Sequence, residues 1–134
     1  MAGYSGRSLI QKLGIKPDSR IAILNAPRKY RGTLGRLPSG VKVSSSIRGR
    51  FPFIQFFTRS KALLQAKLPA LLQALEPSGS LWVSWPKKSS GVETDVTEDV
   101  VRQVVLPTGL VDIKVAAVDD VWSGLKLVRR LKNR

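Results

Sequence analysis

Four short apolar runs divide the chain, and each is bounded by turn-forming residues. Runs that are apolar throughout, rather than alternating with polar residues, are typical of strands covered on both faces, as in a parallel sheet. Pro52 stands near the start of the third run, where a strand tolerates a missing N–H donor. The four predicted strands are Arg20 to Asn25, Val41 to Ser45, Phe51 to Phe57 and Ser80 to Trp85.

The longest helical pattern begins at Ser60, where leucines recur with the 3.6-residue period of a helix. Pro69 must kink or split this helix, because proline removes a backbone hydrogen bond and its ring crowds the preceding turn. Pro77 to Gly79 is predicted to close the segment as a turn. The leucines predicted to share one side are Leu63, Leu64, Leu68, Leu71, Leu72 and Leu75.

Two shorter helices are marked by residues that suit helix ends. Ser8 can cap the first, and Gly14 suits the left-handed position that ends it. Thr94 or Thr97 can cap the second, and Gly109 ends it. Residues 26–40 contain too many Pro and Gly for a long helix, so they are predicted to form a long loop with room for one helical turn.

The C-terminal part contains two further β-like runs, Val111 to Val118 and Leu125 to Val128. Asp119 and Asp120 lie between them and are predicted to form the turn of an antiparallel hairpin. Residues 129–134 are predicted to be a frayed tail. The order of the elements predicts one α/β domain over residues 1–134: a small Rossmann-like, mainly parallel sheet flanked by helices, with a C-terminal antiparallel hairpin.

Composition excludes several kinds of chemistry. The 134 residues include no Cys and no His, so disulfides, thiolate metal sites and Ser-His-Asp or Cys-His catalysis cannot be built. Ser84 and Ser123 have no base to activate them, and no metal or catalytic set is predicted. No run reaches the roughly 20 apolar residues of a membrane span, and the N-terminus has no apolar signal segment, so a cytoplasmic protein without a membrane partner is expected.

The formal net charge of +14 comes almost wholly from the first half of the chain. Residues 1–67 carry 14 of the 23 Lys and Arg but only one of the 9 Asp and Glu, Asp18. An excess of this kind favours anionic partners, nucleic acid first, although it also occurs in proteins that use it only for solubility. RNA or DNA is therefore the expected partner.

Three phrases resemble a family of small bacterial proteins known only as a domain of unknown function (three-zero-five-two). The resemblance runs almost end to end and includes the opening Gly3-Tyr4-Ser5-Gly6. It implies no activity that can be transferred. The phrases are LGIKPDSRIAILNAP, LPALLQALEPSGSLWVSWPKKSSG and GLVDIKVAAVDDVWSGLKLVRR.

The order of elements is also similar to the class I methyltransferases that bind S-adenosylmethionine. In those enzymes the first strand runs into a Gly-rich loop that lets the backbone approach the cofactor, whereas here it runs into Asn25-Ala26-Pro27-Arg28. They also place an acidic residue after the second strand for the ribose hydroxyls, where this chain has Ser44-Ser45-Ser46. Both cofactor features are missing, so no cofactor is expected.

Ligands of open parallel sheets bind outside the carboxyl ends of the strands, so the residues after each predicted strand are the candidates. These loops are basic, and arginine suits bidentate contact with phosphate. Helix starts near Ser60 and Thr97 are expected to offer backbone donors to the same anion. The candidate anion-binding residues are Arg28, Lys29, Arg31, Arg36, Arg48, Arg50, Arg59, Lys61, Lys87 and Lys88.

Tyr30, Phe51 and Trp85 lie among these charges and are candidates for stacking on bases, although each alone is more typical of a core residue. Trp82 and Trp122 are predicted to pack in the core. The leading hypothesis is a non-catalytic module that holds RNA or DNA at the carboxyl edge. The alternatives are a small transferase with a nucleotide-like cofactor at the same edge, and a structural subunit of a ribonucleoprotein assembly.

Overall fold

A computed structural model describes residues 7–134, so the opening Gly3-Tyr4-Ser5-Gly6 lies outside the described part. The helices are Leu9–Leu13 (α1), Tyr30–Leu34 (α2), Lys61–Ala74 (α3) and Glu98–Val105 (α4). The strands are Arg20–Leu24 (β1), Lys42–Ser44 (β2), Phe51–Phe57 (β3), Leu75–Pro86 (β4), Leu110–Ala117 (β5) and Trp122–Arg129 (β6). Short 3-10 turns cover Lys88–Ser90, Leu106–Thr108 and Leu131–Asn133.

The strands form one six-stranded sheet in the order β2-β1-β3-β4-β6-β5. The first four strands of the chain run parallel, and β6 pairs antiparallel with both β4 and β5. The predicted fold class is confirmed: a mixed, mainly parallel sheet flanked by helices and ending in an antiparallel hairpin.

Helices cover both faces of the sheet, which explains why the central strands are apolar throughout. On one face α3 and α4 pack over side chains such as Ile54 and Val83. On the other face α1 and α2 pack over Phe53, Phe57 and Trp82. Trp82 is fully buried and its indole N–H donates to the carbonyl of Leu13 at 3.0 Å, so its predicted role in packing is confirmed.

Helix α3 differs from its prediction at Pro69, which lies inside an unbroken helical span from Lys61 to Ala74. Ser60 caps it, accepting a hydrogen bond from Leu63 N–H at 3.1 Å. The predicted leucine face is narrower than expected, since Leu63 is 37% exposed and Leu75 already belongs to β4. Adjacent residues on a helix point about 100° apart, so Leu63 and Leu64 cannot both face the sheet.

Strand β4 begins before the predicted turn at Pro77 to Gly79. Its register against β3 shifts between the pair Phe51 and Leu75 and the pair Phe53 and Ser80, so the extra residues form an irregularity within the strand. A Cβ at Gly79 would stand 2.9 Å from Leu75 Cδ1 and 3.0 Å from the Pro52 carbonyl oxygen. A side chain at this position would require the Leu75 side chain and the neighbouring backbone to shift.

The C-terminal tail is shorter than predicted, because Arg129 is the last residue of β6 and is fastened to the end of α3. Its guanidinium donates to the carbonyls of Leu72 at 2.8 Å and of Leu75 and Glu76 at 3.0 Å each. Residues 131–133 then form a 3-10 turn. The frayed tail predicted for residues 129–134 is therefore wrong at Arg129.

Strands β2 and β5 lie at the two edges of the sheet. Strand β2 has three residues, whereas β5 has eight and leaves Ile113 56% and Val115 47% exposed. No helix within residues 7–134 is long and apolar enough to cross a membrane.

Candidate functional site at the carboxyl edge

The order of strands reverses between β1 and β3, which is where open α/β sheets bind ligands. The chain leaving β1 enters α2 on one face, and the chain leaving β3 enters α3 on the other face. The two connections therefore leave this point of the sheet towards opposite faces.

Strand β1 ends in a tight bend. Asn25 has a φ of 58°, a left-handed conformation that Asn tolerates better than most residues. Pro27 follows, and its carbonyl accepts a hydrogen bond from Tyr30 N–H at 3.0 Å as α2 begins. Where a Gly-rich loop would follow the first strand, this chain therefore turns at a single Asn in the left-handed conformation.

The connection after β3 is tied to the loop that precedes α4. Thr94 Oγ1 donates to the Arg59 carbonyl at 2.7 Å, and Asp95 Oδ1 accepts from Lys61 N–H at 2.8 Å. The Asp95 carboxylate therefore occupies the N-terminus of α3, where an anion was expected to find backbone donors. At the helix start near Thr97, Glu98 and Asp99 lie in the first turn of α4, and their negative charges disfavour a bound anion there.

The connection after β3 and the loop before α4 border an open cleft of about 660 Å³. Its lining combines a cation, two carboxylates and two hydroxyl groups. The lining residues are Arg59, Ser60, Leu63, Glu93, Thr94 and Asp95. A cleft of mixed charge can bind a ligand that is itself partly cationic and partly anionic.

A chain of buried hydrogen bonds lies beneath the carboxyl ends of β3 and β4. Tyr30 Oη donates to Gln55 Oε1 at 2.6 Å, and Gln55 Nε2 donates to Ser84 Oγ at 3.2 Å. Burial raises the pKa of the Tyr30 phenol far above its ordinary value, partly opposed by the Gln55 hydrogen bond. The phenol therefore stays protonated at neutral pH and cannot act as a base. The hydrogen bonds from Tyr30 through Gln55 to Ser84 instead hold α2 against the sheet.

Most of the predicted basic residues do reach the carboxyl edge. Those that directly follow strands β1, β3 and β4 are Arg28, Lys29, Arg59, Lys61, Lys87 and Lys88. Arg31 lies in the first turn of α2, close to the same edge, whereas Arg36 follows the end of α2, where the chain returns towards β2. Their role in binding an anion stays a prediction.

Arg48 and Arg50 do not lie at this edge. Strand β2 pairs only as far as Ser44 opposite Ala22, in the middle of β1, and the chain then returns to the start of β3 without a helix. The Arg48 carbonyl accepts from the guanidinium of Arg20, the first residue of β1, at 3.3 Å. Arg50 borders a groove with the last turn of α3. Both are at the amino edge, so their predicted position is wrong.

The three stacking candidates are buried core residues. Tyr30 is 2% exposed and packs edge-on against Phe57, with ring centroids 4.7 Å apart. Phe51 is fully buried at the start of β3, and Trp85 is 5% exposed. Their stacking role is therefore wrong, because no base can reach these rings without displacing the core.

Acidic residues also reach this edge, which a count of cations alone overlooks. Asp119 accepts hydrogen bonds from the backbone N–H groups of Val121 at 2.8 Å and Trp122 at 2.7 Å, as expected of a turn-former. Lys87 N–H donates to the Val121 carbonyl at 2.7 Å, which places the hairpin turn beside the loop after β4. The edge is therefore of mixed charge.

Comparisons with solved structures place this fold among methyltransferases. The chain is similar to DhpI in its complex with SAH, with a TM-score of 0.64, 9% identity, and coverage of 95% of this chain and 85% of that one. It is similar to a SAM-dependent methyltransferase from Aquifex aeolicus, with a TM-score of 0.60, 13% identity, and coverage of 89% and 86%. A TehB-like SAM-dependent methyltransferase from Corynebacterium glutamicum gives a TM-score of 0.59, 10% identity, and coverage of 91% and 85%.

No protein-family profile matches the chain, and no curated protein sequence matches it. The structural likeness contradicts the leading hypothesis of a non-catalytic nucleic-acid module and favours the alternative of a small transferase. At these identities the likeness establishes the fold alone. The chain therefore has the Rossmann-like fold of S-adenosylmethionine-dependent methyltransferases.

Proposed function

We propose that this chain is a small transferase that binds a nucleotide-like cofactor of the S-adenosylmethionine class at the carboxyl edge of its sheet. The observation that carries the proposal is the cleft of mixed charge between Ser60 and Asp95, which opens directly after β3, one of the two strands between which the strand order reverses. Its charges suit a zwitterionic cofactor better than a polyanion, because Glu93 and Asp95 repel phosphate.

In this proposal the cofactor binds next to the carboxyl ends of β3 and β4 rather than next to those of β1 and β2. Asn25 replaces the Gly-rich loop after β1, and β2 ends at Ser44 in mid-sheet, so a carboxylate there would stand back from the edge. The cleft offers other groups for the same contacts. Carboxylates at Glu93 and Asp95 suit ribose hydroxyls and an ammonium group, and the Arg59 guanidinium suits a carboxylate.

When bound, S-adenosylmethionine would supply an electrophilic methyl group. The chain's own part is to hold and orient it: Asp95 is fixed by its hydrogen bond to Lys61 N–H, and Thr94 by its bond to the Arg59 carbonyl. Tyr30 is buried and stays protonated, so it cannot remove a proton from the substrate that accepts the methyl group. The titratable bases of the cleft are carboxylates.

The test is calorimetric titration of the purified chain with S-adenosylmethionine and S-adenosylhomocysteine. The double variant Glu93→Gln with Asp95→Asn should weaken binding at least tenfold, because it removes both carboxylates while the new amide oxygen at position 95 still accepts the Lys61 hydrogen bond. Glu76→Gln is the matched control, since Glu76 lies near the start of β4 at the opposite edge. Absence of binding by the unmodified chain, or equal losses in the double variant and the control, would refute the proposal.

Three narrower expectations belong with this proposal. Membership of the small bacterial family is supported by the three quoted phrases, and a cytoplasmic location stays a prediction. A nucleic-acid partner stays a prediction from the net charge of +14.

A further inference from the structure

A second cavity lies at the other end of the sheet, on the face covered by α1. It has a volume of about 440 Å³ and opens beside the start of β1, β3 and the C-terminal half of β6. Among the described residues, its lining contains three cationic side chains, three hydroxyl groups and no acidic side chain. The polar lining residues are Lys16, Ser19, Ser78, Ser80, Lys126 and Arg134.

One lysine of the lining, Lys126, has another lysine as its partner on the neighbouring strand. Lys126 of β6 is directly opposite Lys114 of β5, an arrangement of like charges that destabilises a sheet. Lys114 Nζ is satisfied by the carbonyl of Lys12 at 3.0 Å, at the end of α1. Lys126 Nζ lies 3.6 Å from the point where a Cβ would stand on Gly14, so the ammonium group lies beside the residue that ends α1.

Lys126 is half-buried and has no counter-charge in the described part of the chain. Within residues 7–134 no hydrogen bond or ion pair reaches its ammonium group, and the ion pairs found there all involve Arg102. Burial lowers the pKa of Lys126, and the charges of Lys114 and Lys16 lower it further. A desolvated cation among other cations is costly unless something pairs with it.

We propose that this cavity binds a small anion of the phosphate type with two or more negative charges. The ammonium groups of Lys16 and Lys126 and the guanidinium of Arg134 provide charge-assisted donors. The hydroxyls of Ser19, Ser78 and Ser80 provide neutral donors around them. A compact oxyanion has acceptors in all directions, so it can satisfy donors that converge from several strands.

This site is separate from the carboxyl-edge cleft, and the described linings of the two have no residue in common. Binding of an anion also gives a role to Lys126 at a position where an apolar residue would pack against Trp82, its neighbour on β4. The proposal of an anion site in this second cavity therefore rests on charges and geometry that the transferase proposal does not use.

The test is calorimetric titration with inorganic pyrophosphate at low ionic strength in a buffer without phosphate. Lys126→Met should weaken binding at least tenfold, and Lys16→Gln should weaken it by a smaller factor. The matched control is Lys67→Met, which removes the same charge from an exposed position on α3. Its affinity should remain within about twofold of the unmodified chain. No saturable binding, or an equal loss in Lys67→Met, would overturn the proposal.

A second measurement separates binding from a structural role of Lys126. Without ligand, Lys126→Met should be at least as stable to urea as the unmodified chain, because it removes the repulsion with Lys114. Pyrophosphate should stabilise the unmodified chain and not the variant. A variant that is less stable without ligand and is still stabilised by pyrophosphate would show that Lys126 holds the fold and not the anion.

Discussion

The most informative stability experiment concerns Arg129, whose guanidinium holds the end of α3 to the start of β4. Arg129→Met keeps most of the side chain's apolar contact but removes three hydrogen bonds, to the carbonyls of Leu72, Leu75 and Glu76. A hydrogen bond to a charged group contributes about 1.5 to 3 kcal/mol. Partial exposure of Arg129 reduces the sum, so we expect a loss of about 2 to 4 kcal/mol in the free energy of unfolding.

Urea unfolding followed by tryptophan fluorescence measures this loss. With a slope of about 1 to 3 kcal/mol per molar, the midpoint should fall by on the order of 1 M or more. Arg130→Met is the matched control, because Arg130 is exposed, neighbours Arg129 and carries the same charge. Arg129→Lys should be intermediate, since an ammonium group cannot reach three carbonyls as a planar fork does. If Arg129→Met loses no more stability than Arg130→Met, the three hydrogen bonds do not stabilise the contact between β6 and the end of α3.

Three further outcomes follow from buried contacts. Tyr30→Phe leaves Gln55 Oε1 without its donor and should cost about 1 to 3 kcal/mol in urea unfolding, with cofactor affinity unchanged. Gly124→Ala places a Cβ 3.0 Å from Trp82 Cε3 and should cost about 1 to 3 kcal/mol, visible as a shift in the tryptophan emission. The folded state lowers the pKa of Lys126, so the unfolded chain binds more protons between that value and about 10.5. Stability to urea should therefore rise with pH through this window, with a smaller rise in Lys126→Met; equal slopes would contradict the burial of the ammonium.

The sheet was predictable because its strands are local patterns. Apolar runs bounded by turn residues located all four parallel strands within a few residues, and the parallel order put the loops after β1, β3 and β4 at one edge. The prediction for Arg48 and Arg50 failed because a loop's side of the sheet depends on how far its strand extends. Strand β2 has only three residues, and no local pattern fixes that length.

The candidate sites were less predictable because they join residues distant in sequence. Asp95 meets Lys61, and Lys126 faces Lys16, only once the sheet is assembled. The proximity of Lys114 and Lys126 could have been predicted, because two lysines in consecutive strands of a hairpin are candidates for cross-strand neighbours. The burial of Tyr30 had only the general signal that a single aromatic is more typical of a core residue, because its basic neighbours indicate an exposed loop and its contact with Phe57 forms only when α2 packs on the sheet.

The exposed edge of β5 has a consequence for how copies of this molecule behave together. An eight-residue edge strand with Ile113 and Val115 exposed is a template on which another chain can add a strand. Lys114 stands between these two residues, and the net charge of +14 makes any two copies repel. Added salt screens that repulsion without weakening backbone pairing, so concentrated solutions should aggregate as ionic strength rises. On this reasoning the net positive charge opposes pairing between copies at the open edge of β5.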